Sequence, residues 1–349
     1  MLIFAPNNEK FTGGFVRRLK MYFSQLPANI KGNLITGDGK MKKSALWVMV
    51  CMFTVWVNGT CFAETIYVDQ SGGGDYTSIQ AGINAAYADD IIKVGPGVYN
   101  ENVVIDKNLE LIGSGPNFTT IKSSADSILV NANLNVDISG FSLTSGENGI
   151  HLNGDYIHAV IENCLITGCG ARGIRFTGQD STISIFNNSI LSNGSSGILI
   201  YATTGYNPDV SVSIQGNIIA FNGRYGIKVY DIHDTEVSSY NDVFSNTDLN
   251  YVSCVAGIGD ISENPKFIDQ NNGNYVLRSD SPCKDTGRSG EMNNDPDGTR
   301  NDMGAYSGAG AAAFWPYVPG GPVITEMSVT PASVPKGGKI TIKAKGRVQ

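Results

Sequence analysis

The sequence predicts an all-β chain wound as a solenoid of stacked parallel strands, and three observations lead there. The first is a repeat: FSLTSGENGIHLNG, CLITGCGARGIRFTG, SILSNGSSGILIYA and IIAFNGRYGIKVYD are versions of one unit. Their Gly-Ile pairs begin at Gly149, Gly173, Gly197 and Gly226, spaced 24, 24 and 29. The second is composition. Glycine supplies 42 of 349 residues and charged residues only 16%, against about 7% glycine and 25% charge in ordinary globular chains. That balance excludes a coiled coil, a basic nucleic-acid binder and a charge-rich disordered tail. The third is the local pattern. Each unit reads as short alternating strands between Gly/Asn/Ser turns, with no helical period.

Taken from its start, the chain first shows a candidate export signal placed late. Lys42 and Lys43 precede an apolar run from Ser44 to Val57, and Cys61 and Ala63 occupy the two small-residue positions of a cleavage site. The expectation is a start at Met41, a signal peptide over 41–63 and upstream leader over 1–40. The run is too short and polar-ended for a membrane span. Residues 1–63 hold eight of the 25 basic and two of the 32 acidic residues, so the remainder carries 17 and 30, a net of −13. Such a surface repels nucleic acid and anionic lipid. The expected location is extracellular or cell-surface and the expected state a monomer. In an oxidising compartment disulfides persist. Of Cys164, Cys169, Cys254 and Cys283, the preferred bridge is Cys254 with Cys283, because Cys164 sits at a repeat position that points inward.

Residues 64–308 then form the solenoid. Coils that cannot bury their apolar faces alone stack at about 4.8 Å and share one core, and residues 66–262 allow roughly eight coils. Asn163, Asn188, Asn217 and Asn241 recur at 25, 29 and 24, as turn residues able to form amide ladders. A leucine-rich repeat lacks its helical half here, and a β-sandwich would not keep this register. Beyond a linker at 309–322, residues 323–349 read as the first two strands of a truncated Ig-like β domain.

Residues 72–123 (GGGDYTSIQAGINAAYADDIIKVGPGVYNENVVIDKNLELIGSGPNFTTIKS) resemble the opening of pectin methylesterases and other right-handed parallel β-helix proteins. The resemblance implies a right-handed, pectin lyase-like β-helix whose first coil is capped by a short helix, Ser78 to Tyr87. NPKFIDQNNGNYVLRSDSPCKDTG, from Asn264 to Gly287, and the DPDGTRNDMGAYSG after it resemble the closing segment of secreted bacterial β-helix proteins. Gly97, Tyr99 and Glu101 match the esterase family's G-x-Y-x-E element, which is structural. The segments that carry that family's catalytic aspartates and arginine are absent, and Gln179-Asp180-Ser181-Thr182 matches a third motif only faintly. Asn246-Thr247-Asp248 copies a polygalacturonase triplet but comes last, with no G-H-G after it.

Strand alternation supplies the site. With Ile150/Leu152, Ile174/Phe176, Ile198/Ile200 and Ile227/Val229 pointing inward, the outward set is His151/Asn153, Arg175/Thr177, Leu199/Tyr201 and Lys228/Tyr230. Stacked over three coil spacings, about 14 Å, His151, Asn153, Arg175, Thr177, Tyr201, Lys228 and Tyr230 make a candidate ladder for an extracellular polysaccharide, with tyrosines packing on sugar faces. The alternative reading is an ordinary solvated solenoid face. β-Helix lyases use Arg or Lys as base, often with Ca²⁺, which makes Arg175 and Lys228 the catalytic candidates and a lyase the alternative to simple binding; a structural or adhesin-like rod is the third. Asp295, Asp297 and Asp302 cluster around a D-x-D-G turn, a calcium candidate weighed against a hydrogen-bonded turn. His158 and His233 have no metal-ligand spacing.

Overall fold

The computed structural model describes residues 63–203, 209–232 and 237–314, and the paired strands at 322–330 and 341–348. The leader and signal over 1–63 lie outside the described residues except for Ala63, as do His233 and residues 315–321 of the linker.

Each coil lays one strand in each of three parallel sheets. Sheet 1 stacks Thr65–Val68, Asp90–Val94, Leu109–Gly113, Asn135–Ser139, His158–Glu162, Ser181–Phe186, Val210–Gln215 and Ser238–Ser239. Sheet 2 runs from Gly97–Asn100 to Asp242–Phe244 and sheet 3 from Val103–Ile105 to Leu249–Val252, each of seven strands. The solenoid therefore has seven complete coils, with an eighth strand in sheet 1 alone, where the repeat length led to an expectation of about eight coils.

The interior is a set of apolar columns. Ile128, Ile150, Ile174, Ile198 and Ile227 are in register in sheet 3, and Ile121, Leu143, Ile166, Ile190, Ile219 and Val243 in sheet 2. All of these are fully buried. The recurring glycine has a steric origin. A Cβ on Gly149, Gly173 or Gly197 would stand 2.7, 2.7 and 3.0 Å from the carbonyl oxygen of the glycine one coil on, closer than side chains tolerate, so the unit keeps the residue without one.

Two ladders of buried amides line the corners on either side of sheet 2. At the first corner a left-handed residue (Gly140, Asn163, Asn187, Gly216, Tyr240) precedes the ladder position. In the ladder itself Cys164 N donates to Asn188 Oδ1, Asn188 N and Nδ2 to Asn217 Oδ1, and Asn217 N and Nδ2 to Asn241 Oδ1. Asn241 ends the run on Asp260 Oδ1. Asn163 is thus not a rung but the left-handed residue before one, and the true spacing, 164 to 188 to 217 to 241, equals that of the glycines apart from the position of the long step. A second ladder joins Cys169, Asn193, Asn222 and Asn246 and ends on Asn250.

The helix Ile79–Ala85 caps the open first coil. It is held from outside itself: Glu101 accepts from Ile79 N at 2.9 Å and Gln80 N at 3.0 Å, and Lys107 Nζ donates to Ile83 O and Ala86 O. An anion at the helix start and a cation at its end satisfy orphan backbone groups and oppose the dipole. Tyr99, buried, donates to Gly95 O, so the Gly97, Tyr99 and Glu101 element is structural. Glu101→Ala is expected to cost about 1–2 kcal/mol and to speed hydrogen exchange at the amides of Ile79 and Gln80, leaving those of the central coils unchanged.

The closing segment runs back along sheet 2. Leu165, Leu191, Ile218 and Ala220 point out of the solenoid there, yet all are buried, with Phe267, Cys283, Met303 and Ala305 over them. The segment is tied coil by coil to the left-handed corner. Arg300 lies over the Tyr240 ring, Gly304 N donates to Gly216 O, Asn301 Nδ2 to Asn187 Oδ1, and Asn163 Nδ2 to Ala305 O and Ser307 O. It continues through a 3₁₀ turn, Ala309–Ala313, to Phe314, whose ring packs on Gly115. The packed segment therefore passes the expected boundary at 308. Past it, Pro322–Thr330 pairs antiparallel with Thr341–Val348, two strands as expected for the tail.

The expected Cys254–Cys283 bridge is not formed. The four cysteines among the described residues are free. Cys254 belongs to the solenoid core and faces Ile227 O, whereas Cys283 lies under the closing segment, 3.2 Å from Asp242 Oδ2. Burial pushes the Asp242 carboxyl up from 3.8 to about 7. Because the folded value is raised, the stabilising form is the protonated one; its contribution is complete below about pH 4 and is lost as pH rises toward 7. Asp242→Asn is expected to flatten the fall in melting temperature between pH 4 and 8; an unchanged slope would rule Asp242 out as its source.

Candidate functional site

With sheet 2 covered, the outer faces of sheets 1 and 3 remain. The sheet 3 face carries the sequence-predicted residues, and the register brings them together. One row runs Leu129, His151, Arg175, Leu199, Lys228, Val252, and the next Asn153, Thr177, Tyr201, Tyr230. The inward partners of both rows are buried, as the alternation required.

The rows differ in character from end to end. At the far end Tyr201 and Tyr230 stand edge to face at 5.9 Å and are 38% and 37% exposed. Lys228 Nζ lies 4.6 Å from the centre of the Tyr230 ring and 4.2 Å from that of Tyr225. Arg224 stacks on the other ring, Tyr225, at 4.8 Å and pairs with Asp248 at 3.2 Å. The result is an aromatic platform with cations between its rings, able to stack on an apolar sugar face and to hold polar substituents. Tyr225 and Arg224 escaped the sequence reading because they precede the Gly-Ile pair, where alternation gives no direction.

At the near end His151 Nδ1 lies 2.7 Å from Asp126 Oδ2. The other carboxylate oxygen accepts from Asn148 N and Nδ2 at 3.2 and 2.7 Å. Asp126 was not among the expected residues; it sits one coil before Asn148, ahead of its strand, where alternation gives no direction. Arg175 Nε donates to Thr177 Oγ1 at 3.3 Å. Desolvation, then the Arg175 charge, lower the Arg172 guanidinium's affinity for its proton, and Glu147 opposes them. The two catalytic candidates, Arg175 and Lys228, are two coils apart with Leu199 between.

Sheet 1 carries a groove of about 320 Å³ lined by Glu110, Asn135, Asp137, His158, Thr182 and Ser184, among others. Burial raises the Asp137 carboxyl, and burial together with the Asp137 and Glu110 charges raises that of Glu162. The groove is acidic and lacks an exposed aromatic pair, so it offers less to a glycan than sheet 3.

The calcium candidate does not assemble. Asp295 accepts from Gly308 N and Asp302 N, Asp297 from Thr299 N and Oγ1, and Asp302 from Asp285 N and Lys284 Nζ at 2.9 Å. Each carboxylate has donors of its own, the arrangement of a hydrogen-bonded turn. Among the described residues no three acidic, His or Cys side chains converge as a metal site, and no helix is long and apolar enough to cross a membrane.

A family model described as the right-handed β-helix region matches residues 113–276, in agreement with the three-sheet solenoid. Over 135 residues the chain is 31% identical to a cell surface glycoprotein of Methanothermus fervidus, covering 37% of this chain. The chain spans 22% of the length of that relative. Among solved structures, a crystal structure of pectate lyase Pel9A aligns with 71% of this chain and 97% of its own at 10% identity and a TM-score of 0.32.

Proposed function

We propose that this right-handed β-helix is displayed at the cell surface or in its surroundings and binds a polysaccharide along the outer face of sheet 3. The observation that carries the reading is the register of that face. It stacks Tyr201 on Tyr230 beside Lys228, and His151 on Arg175 beside Asn153 and Thr177, in two parallel rows. A linear glycan laid along them meets rings at one end and hydrogen-bonding groups at the other. Surface display rests on the signal-like segment over 41–63, to be tested by sequencing the exported protein's N-terminus: a start near Glu64 is expected, and a retained leader contradicts it. The partly similar cell surface glycoprotein fits the same location.

Binding is tested on an array of polysaccharides, with and without Ca²⁺, followed by product analysis. Retention without new ends or unsaturated products is the expected result. A rise in unsaturated-uronate absorbance identifies a lyase instead, and no retention on any glycan leaves a structural or adhesin-like rod.

A further inference from the structure

Buried polar groups in folded proteins are nearly always partnered, so exceptions that cluster call for a physical account. Six buried side-chain polar atoms among the described residues have no protein partner. Asn163 Oδ1 and Asn301 Oδ1 lie where the closing segment meets the first corner. Of the other four, Ser127 Oγ lies in the inward column of Gly149 and Gly173, where a Cβ would meet the buried Ile166 and Ile190 side chains. Asn148 Oδ1, His151 Nε2 and Arg172 Nε fall on two consecutive strands of sheet 3. The register sets Asn148 directly against Arg172 and His151 against Arg175, and Ser127 N donates to Asn148 O.

The proton inventory of this corner is specific. An ionised Asp126 can only accept, so the 2.7 Å contact places the proton of His151 on Nδ1, and in the neutral ring Nε2 is left as an acceptor. Asn148 Nδ2 is also committed to Asp126, which turns Asn148 Oδ1 away as a second acceptor. Arg172 Nε is a donor. Two acceptors and a donor do not suit a bare anion, which can only accept. They suit adjacent hydroxyl groups, each of which donates one hydrogen bond and accepts another. Formal charge agrees: Asp126 and Glu147 stand against Arg172 and Arg175. The imidazole retains 12% exposure, and its two neighbours in the row are Leu129 and Arg175, so one of its covers is a long, flexible side chain.

We propose that Asn148, His151 and Arg172 form the head subsite of the sheet 3 ladder, taking a vicinal diol of a sugar unit, with Asp126 as the positioning residue that orients His151 and Asn148 as acceptors. The subsite rests on the polysaccharide reading above and adds to it the part of the sugar that is recognised.

The test uses the polysaccharides that the full-length protein retains on the array. Each is presented native, periodate-oxidised to cleave vicinal diols, and carboxyl-reduced. Wild-type protein is expected to prefer native over periodate-oxidised glycan at least tenfold and to be indifferent to carboxyl reduction. His151→Phe, which keeps an aromatic ring and removes the acceptor, is expected to abolish that preference, and His151→Gln to recover part of it. Asp126→Ala is expected to weaken binding alone and to add less than its full effect to His151→Phe, because Asp126 acts partly through the imidazole and partly through Asn148. A preference that survives His151→Phe, or that follows the carboxylate, overturns the subsite. If His151→Phe is inert while the tyrosine pair matters, the subsite fails and the ladder stands; if wild-type protein retains nothing, both fail.

Discussion

Asn217→Ala is expected to lower stability by about 4 kcal/mol, a large share of the 5–15 kcal/mol typical of a folded chain. The side chain joins three coils. Its Nδ2 donates to Ile185 O, Gln215 O and Asn241 Oδ1 at 2.8, 3.0 and 2.9 Å, and its Oδ1 accepts from Asn188 N and Nδ2 at 2.8 and 3.0 Å. The residue is fully buried, so no water replaces these partners when the amide is removed. Asn188 N is left buried without its acceptor, and Ile185 O and Gln215 O each lose a donor, whereas Asn188 Nδ2 keeps Ile161 O and Phe186 O and Gln215 O keeps Asn187 N. Each lost partner costs about 1–3 kcal/mol before relaxation. For a chain of this size the melting temperature should fall by about 10 °C. Urea denaturation checks the figure, with Asn163→Ala as the comparison. Asn163 serves the closing segment and not the ladder, and its loss should cost about 1–2 kcal/mol. Equal effects of the two substitutions would contradict the distinction between corner and rung.

Ending the chain after Asn264 is the second large effect. The closing segment would be lost while the solenoid core, a separate cluster of buried residues, kept its contacts. Solenoid stability is held between neighbouring coils, so the β-rich circular dichroism should persist. What changes is the surface. Leu165, Leu191, Ile218 and Ala220, now 0–5% exposed, would form a continuous apolar stripe down sheet 2. Stripes of that kind drive association. The truncated protein is expected to bind a hydrophobic dye and to elute as oligomers, where the full chain is expected to elute as a monomer. A truncated chain that stays monomeric and dark would show that the segment is not the cover of this face.

Those two variants also mark what the sequence did and did not disclose. The glycine repeat was legible because its cause is steric and identical in every coil: a carbonyl of the next coil stands where a Cβ would go. The inward and outward faces of sheet 3 followed from it by alternation alone. The asparagine ladder was legible only to within one residue. Left-handed corners and amide rungs both favour asparagine, and they are adjacent, so Asn163 and Asn188 look alike in a string of letters. The second ladder, Asn193, Asn222 and Asn246, was hidden inside SNG, FNG and SNT turns that read as ordinary loop chemistry. The closing segment has no period, and its contacts span more than a hundred residues, as between Asn163 and Ser307. Asp126 was missed because it binds His151 across a coil, where neither strand alternation nor a local motif points. The Cys254–Cys283 pairing failed for a related reason: elimination among four cysteines says nothing about which side of a sheet each one faces.

The ladder itself is tested most directly by Tyr201→Ala combined with Tyr230→Ala. Both rings stand on the outer face and touch each other at 5.9 Å, so their removal leaves the buried columns intact. Base- or sugar-stacking rings contribute about 1–3 kcal/mol each when removed, so the double variant should bind a retained glycan at least tenfold more weakly while its melting temperature stays within a few degrees of the parent's. Affinity unchanged from the parent's, on a glycan the parent binds, would contradict the assignment of sheet 3 as the binding face.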